Sequence, residues 1–224
     1  MESRAASAWT LGLVVVLIVL IVATSAPAAW RGGDRFTLAQ TREVRSGIDG
    51  LPYRVHENST AAADTMAELN RRATELLRHL RGKYLRGPGR GAFPAREAAT
   101  RRLLGLYNPD NLAENSPRDP EGDTSYTIDK GAILALCLRA KGPGGAGIHD
   151  METLTFVTLH ELTHIAVTDV DHPVAYWRTF KFVLQEAVAA GLLKGVDYSQ
   201  RPTVYCGMNI DYNPFYDASL PPLA

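Results

Sequence analysis

The chain is poor in cysteine: it has only Cys137 and Cys206, and no C-x-x-C pair. That argues against a zinc site built on thiolates. The two thiols form one disulfide if the protein meets an oxidising space; otherwise they are two small buried residues. Net charge is also lacking, with 24 basic against 24 acidic residues, so no global field points to nucleic acid. No internal repeat is present. The only charge asymmetry is local: from Arg71 to Arg102 nine arginines and one lysine stand against two acids, Glu75 and Glu97. This reads as a solvated basic helix face, with a polyanion or membrane-surface contact at 71–102 as the alternative. At 224 residues, the chain is long enough for one globular domain plus a tail.

No charge occurs from Ala5 to Trp30, and the stretch LGLVVVLIVLIVA, Leu11 to Ala23, is almost wholly aliphatic. At 1.5 Å per residue such a segment crosses a hydrocarbon core of roughly 30 Å. Trp9 and Trp30 bracket it as interfacial aromatics do. Residues 1–30 are therefore expected to form an N-terminal transmembrane helix, a single-pass anchor that makes the membrane a partner. The alternative is a signal peptide, with Arg4 ahead of the apolar core and the small residues ATSAPAA behind it, which would release a secreted protein. Basic residues are more frequent after the segment (Arg31, Arg35, Arg42) than before it, which favours a cytoplasmic-side domain. The sequon Asn58-Ser59-Thr60 matters only in the opposite topology.

Residues 31–50 read as a polar linker, and 51–224 as the folded domain. LPYRV (51–55) has the character of a short strand. Apolar residues recur at three and four from 64 to 85 (Met66, Leu69, Ala73, Leu76, Leu77, Leu80, Tyr84), which predicts an amphipathic helix broken by RGPGRGAFP. A shorter helix is expected over 95–106, then an Asn/Asp/Pro-rich loop over 107–124. SYTID (125–129) and AILALCLRA (132–140) are strand candidates, the second apolar enough to be buried. Asp150 is placed to cap a helix from Met151 to about Val167, and Pro173 to open another that stops at Gly191. The proline-containing tail after Tyr198 reads as irregular.

The chemistry concentrates in TFVTLHELTHIAVTDVDHPVAYW, residues 155–177, which contains H-E-x-x-H. Residues four apart share a helix face, so His160 and His164 can aim ring nitrogens at one zinc ion, at about 2.0–2.1 Å each. Glu161 lies about 100° round the helix, off the metal but close enough to take a proton from a zinc-bound water, whose pKa the ion lowers to about 7. The hydroxide so formed can attack an amide carbonyl. Leu154, Val157, Leu162, Ile165 and Ala166 supply the helix with an apolar stripe. A catalytic zinc needs a third protein ligand. His172, beyond the link IAVTDVD, requires only a tight turn; Glu186 in LQEAVAAG is the alternative, and both cannot bind one ion. Asp171 is a candidate to orient an imidazole or to cap the following helix. Tyr205 is a candidate donor to a developing oxyanion, with a core tyrosine as the alternative. Met208 either packs beneath the metal or is ordinary packing.

The block TLHELTHIA…DHPVAYWRTFKFVLQEAVAAGL resembles the WLM and SprT-like zinc metallopeptidases, in which H-E-x-x-H is followed by a third histidine that opens a helix and then by an aromatic. Here these are His160, Glu161, His164, His172 and Trp177, with a longer spacing before His172 than WLM proteins have. The stretch from about 50 to 210 also resembles metallopeptidase-like proteins of large DNA viruses and algae. The resemblance implies an α+β, zincin-like fold with a small sheet over the active-site helix, a bound Zn2+, and a peptide or protein substrate that adds to the sheet edge. The sequence thus points to a zinc metallopeptidase. The alternative is a non-catalytic, zinc-stabilised binding or structural protein, membrane-tethered and using its basic segment for anionic partners.

Overall fold

The computed structural model describes residues 40–116, 124–141 and 147–224. Its main sheet has five short strands: β1 (Arg42–Arg45), β2 (Pro52–Val55), β3 (Leu112–Glu114), β4 (Tyr126–Ile128) and β5 (Ile133–Leu136). Their order is β1-β2-β3-β5-β4. β2 and β5 both run parallel to β3, while β1 and β4 close the two ends antiparallel. All three β3 residues are buried, including the carboxylate of Glu114. Arg139 Nε donates to Glu114 Oε1 at 2.9 Å, and the backbone N–H of His56 donates to Oε2 at 2.7 Å. Burial raises the pKa of Glu114 against the pull of these donors. Removing one partner of such a pair costs roughly 3–5 kcal/mol.

The described residues form four α-helices: α1 (Thr60–Leu80), α2 (Pro94–Leu106), α3 (Met151–Ala166) and α4 (Val174–Ala189); α1 and α3 pack on the sheet, and α2 and α4 pack on α3. Ser59 caps α1, and its predicted apolar residues from Met66 to Leu80 are buried. A π-helical turn, Arg81–Arg86, extends α1 and sets Lys83 and Tyr84 against Glu186 of α4. Asp150 caps α3 as expected, accepting from Thr153 N at 2.9 Å. That helix is buried nearly all round, between β4 and the other three helices, rather than along one stripe. Its buried hydroxyls are satisfied locally: Thr155, Thr158 and Thr163 each donate to the carbonyl four residues earlier.

The β4–β5 turn brings the sheet onto α3. Gly131 there has φ +108°, and a Cβ would come within 3.0 Å of Ile165 and 3.2 Å of the Leu106 carbonyl. No other residue type fits that approach without displacement. A separate hairpin, β6 (Thr203–Tyr205) and β7 (Met208–Ile210), is joined to the end of β5 by a disulfide between Cys137 and Cys206.

The α+β class with a small sheet is observed, but the expected transmembrane helix is overturned. No helix among the described residues is long and apolar enough to cross a membrane. The longest, α1, carries Glu68, Arg71, Arg72, Glu75 and Arg78, which a bilayer core would not accept. The segment 1–30 lies outside the described residues, so the single-pass localisation and the membrane partner have no support. Residues 42–50, expected as linker, form β1 and its turn. The basic stretch 71–102 is mostly solvent-facing, as expected: Arg71, Arg78, Arg81, Arg86, Arg90 and Arg101 are exposed, and Arg72, Arg96 and Arg102 are half-buried. Arg71 and Arg72 pair with Glu68, Lys83 with Glu186 and Arg101 with Glu97. Arg96 and Arg102 donate to the carbonyls of Leu223 and Val167.

Candidate metal centre and its cleft

His160 and His164 lie one turn apart on α3, and the chain then bends back. Asp171 makes the bend with φ 62°, a left-handed conformation that aspartate tolerates better than most residues. His172 follows directly, just before α4. Its Nε2 lies 3.0 Å from Nε2 of His160, and one ring nitrogen from each of the three histidines falls within 4.8 Å of the others. Tetrahedral zinc at about 2.0–2.1 Å from each nitrogen sets them about 3.3 Å apart, so a small adjustment seats the ion. No fourth His, Cys, Asp or Glu joins the cluster among the described residues.

Tyr176 of α4 supports all three rings. Its ring centroid is 5.2, 4.6 and 4.5 Å from those of His160, His164 and His172, and its hydroxyl donates to the His160 carbonyl at 3.0 Å. Trp177 stacks at 5.6 Å on His172. Asp171 raises the pKa of His164 and His172 against burial but hydrogen-bonds neither ring among the described residues. The N-cap of α4 is Pro173, so Asp171 does not cap that helix.

Burial sets the protonation states. Desolvation, with the neighbouring imidazoles, pushes His160 down to about 3 and His164 to about 4, and desolvation lowers His172 as well. All three are neutral at pH 7, the form that binds metal. Because their folded pKa values lie below the usual 6.5, protons compete for them only in more acid solution. Zinc affinity is therefore expected to hold to lower pH than ordinary imidazoles would allow and to collapse as pH falls towards 4, as measured by competition with a chromogenic chelator. A steady loss beginning at pH 6.5 would contradict this.

Glu161 is 4 % exposed, and desolvation raises its pKa to about 7. Thr127 of β4 donates to its Oε2 at 2.9 Å, and the carboxylate makes no other side-chain hydrogen bond among the described residues. Both Glu161 and the histidines open on a mostly apolar cleft of about 800 Å³.

The remaining candidates lie elsewhere or are already engaged. Glu186 does not join the histidines. It accepts from Lys83 Nζ and the Tyr84 hydroxyl at 2.8 Å each and lies 2.8 Å from His79 Nε2. Burial opposes its ionisation, but these partners hold its carboxyl below the usual range. Tyr205 borders the cleft, yet it is buried, its proton directed to the Cys137 carbonyl at 2.7 Å and its oxygen 2.6 Å from Ser125 Oγ. It reads as a core tyrosine that anchors β6. Met208 is about half exposed at the cleft mouth rather than beneath the histidines. Sequence reasoning missed Thr127 and Tyr176. The first has no local signal; the second could have been found four residues after His172, in the first turn of α4.

Fold and site together define an α+β protein with a three-histidine cluster, borne on one central helix and the bend after it, beside a buried glutamate. An uncharacterized protein of Acanthamoeba polyphaga mimivirus is 30% identical over 200 residues, covering 88% of this chain and 95% of that protein. The chain belongs to the family of that mimivirus protein. Two further uncharacterized proteins match over part of their length. One from Invertebrate iridescent virus 6 is 39% identical over 90 residues (40% of this chain, 49% of that protein). One from Invertebrate iridescent virus 3 is 34% identical over 94 residues (40% and 55%). No family model matches the chain, and no solved structure matches it.

Proposed function

We propose that the protein is a zinc metallopeptidase of the WLM and SprT-like kind that hydrolyses peptide bonds. The observation that carries this reading is the convergence of His160, His164 and His172, all held neutral, beside the buried Glu161 in an open cleft. A zinc ion bound there supplies Lewis acidity, making a water more acidic and a carbonyl more electrophilic.

The chain's own residues do the rest. Thr127 occupies Oε2 of Glu161 and leaves Oε1 to take a proton from water. With a pKa near 7, the carboxylate can accept that proton and later return it to the leaving amine. Tyr176 fixes the imidazoles from behind. β4 is the outer strand at its end of the sheet, and Ser125 to Thr127 border the cleft. An extended substrate can add to that edge by backbone hydrogen bonds.

The competing reading, a zinc staple without catalysis, calls for a closed four-ligand shell, whereas catalytic zinc keeps a position open. The lack of a fourth ligand among the described residues favours catalysis. Zinc-loaded protein should cleave an unstructured protein such as casein, stop on chelation, and resume when zinc is restored. No cleavage of a broad peptide library by fully metallated protein would count against the proposal.

A further inference from the structure

The cleft extends well past the histidines. One turn before His160 on α3, Phe156 and Val157 line its floor, and Phe180 of α4 closes that side, 5.3 Å from the His160 ring and 5.2 Å from Phe156. The disulfide-tied hairpin also lines the cleft, with Met208 and Ile210, as does Tyr212 just beyond it. Met208 and Tyr212 are 49% and 39% exposed, large apolar groups turned to the mouth of a cavity rather than packed in the core. The volume, about 800 Å³, lies within the ligand-pocket range of about 300–1,000 Å³. The mouth carries Asp129, Asp169, Asp171 and Asp211. A single lysine lines it, Lys130, whose Nζ donates to the Asp169 carbonyl.

From this we infer that the cleft selects an extended polypeptide segment presenting a bulky apolar side chain, phenylalanine or leucine, with no acidic residue beside it. The inference deepens the peptidase reading and rests on it for the placement of the substrate backbone along β4. The apolar side chain enters among Phe156, Val157, Phe180 and the hairpin. Carboxylates flanking that side chain meet the aspartates of the mouth and are repelled, more so at low ionic strength. The hairpin therefore sets specificity without touching the metal ligands.

The test uses zinc-loaded Glu161→Gln protein, which can bind without cleaving, and short fluorescent peptides that differ in one central residue. Anisotropy titration should show the Phe and Leu peptides binding at least about tenfold more tightly than the Ala peptide, a usual return for apolar pocket contacts. Exchanging flanking Gln for Glu should weaken binding, and added salt should reduce that loss. Met208→Lys, a change at an exposed position, should erase the preference for Phe while the melting temperature stays unchanged. Val157→Trp, which fills the floor, should do the same if it folds. Equal affinity for the Phe, Leu and Ala peptides overturns this inference and leaves the peptidase reading intact. Apolar-selective binding, with no cleavage of the same peptides by wild-type protein, overturns the peptidase reading and leaves the pocket standing.

Discussion

Glu161→Gln is expected to lower peptide hydrolysis by about 10²–10⁴-fold, the usual contribution of a positioned general base, while the protein keeps its zinc. The substitution is nearly isosteric. The glutamine carbonyl oxygen can still accept from Thr127, and the three imidazoles are untouched, so the loss isolates proton transfer. Stability should move the other way in the metal-free protein. The folded pKa of Glu161, about 7, lies above the ordinary value of 4.5 because burial disfavours the anion. Its contribution to stability is therefore complete below pH 4.5 and is lost as pH rises through 7. At pH 8 the buried anion costs on the order of 2–3 kcal/mol that glutamine avoids. Metal-free Glu161→Gln should thus melt above metal-free wild type at pH 8, and the gap should narrow on acidification. Urea titrations at several pH values read the difference. A variant that hydrolyses peptide as fast as wild type would remove Glu161 from the chemistry.

Reduction of the Cys137–Cys206 disulfide is expected to give a large loss of stability. The bond spans 69 residues and joins the end of β5 to the turn of the β6–β7 hairpin. Closing a loop of that length is worth about 4 kcal/mol in the chain-entropy account. For a folded region of this size that is about 10 °C in melting temperature. A two-stranded hairpin is marginal alone. Apart from the disulfide, this one is tied to β5 and to the segment before β4 by the hydrogen bonds of Tyr205 with the Cys137 carbonyl and Ser125 and of Thr124 with the Met208 sulfur. Cys206→Ser, or treatment with a strong reductant, should lower the melting temperature by that amount. Zinc binding should remain, because the histidines lie on α3 and the bend before α4. Unchanged melting under reductant, with two thiols titrating in the native protein, would show that the bond is not formed in solution.

Much of the site was legible because its signals are local. H-E-x-x-H with Asp150 ten residues upstream specifies one helix and one face, and a histidine just before a proline marks the bend and the next helix start. Strands β4 and β5 could be read from apolar and β-branched runs around the Lys130-Gly131 turn. Other strands were hidden for physical reasons. β3 is three residues long, too short for any alternation, and it contains Glu114, a buried charge that is tolerable only because Arg139 lies 25 residues further on. β1 is polar and mostly exposed. The β6–β7 hairpin falls in a stretch containing Pro202, and its turn places Cys206 and Gly207 at φ 48° and 87°. Both residues of a tight hairpin turn then have positive φ; glycine announces such a position, but cysteine does not. Glu186 shows the converse. It is the alternative third ligand by sequence, while partners more than 100 residues away in sequence, His79, Lys83 and Tyr84, claim it for the core.

The most direct test is the metal content of purified protein, with zinc affinity, for wild type, His172→Ala and Glu186→Gln. Even partners that only hydrogen-bond a ligand are worth roughly 10–100-fold in affinity, so loss of a ligand should cost more. The account predicts a single zinc ion per wild-type chain, affinity lowered more than about 100-fold in His172→Ala, and full occupancy in Glu186→Gln even if that variant is less stable. Undiminished zinc in His172→Ala, or a wild-type protein that takes up no divalent metal, would contradict it.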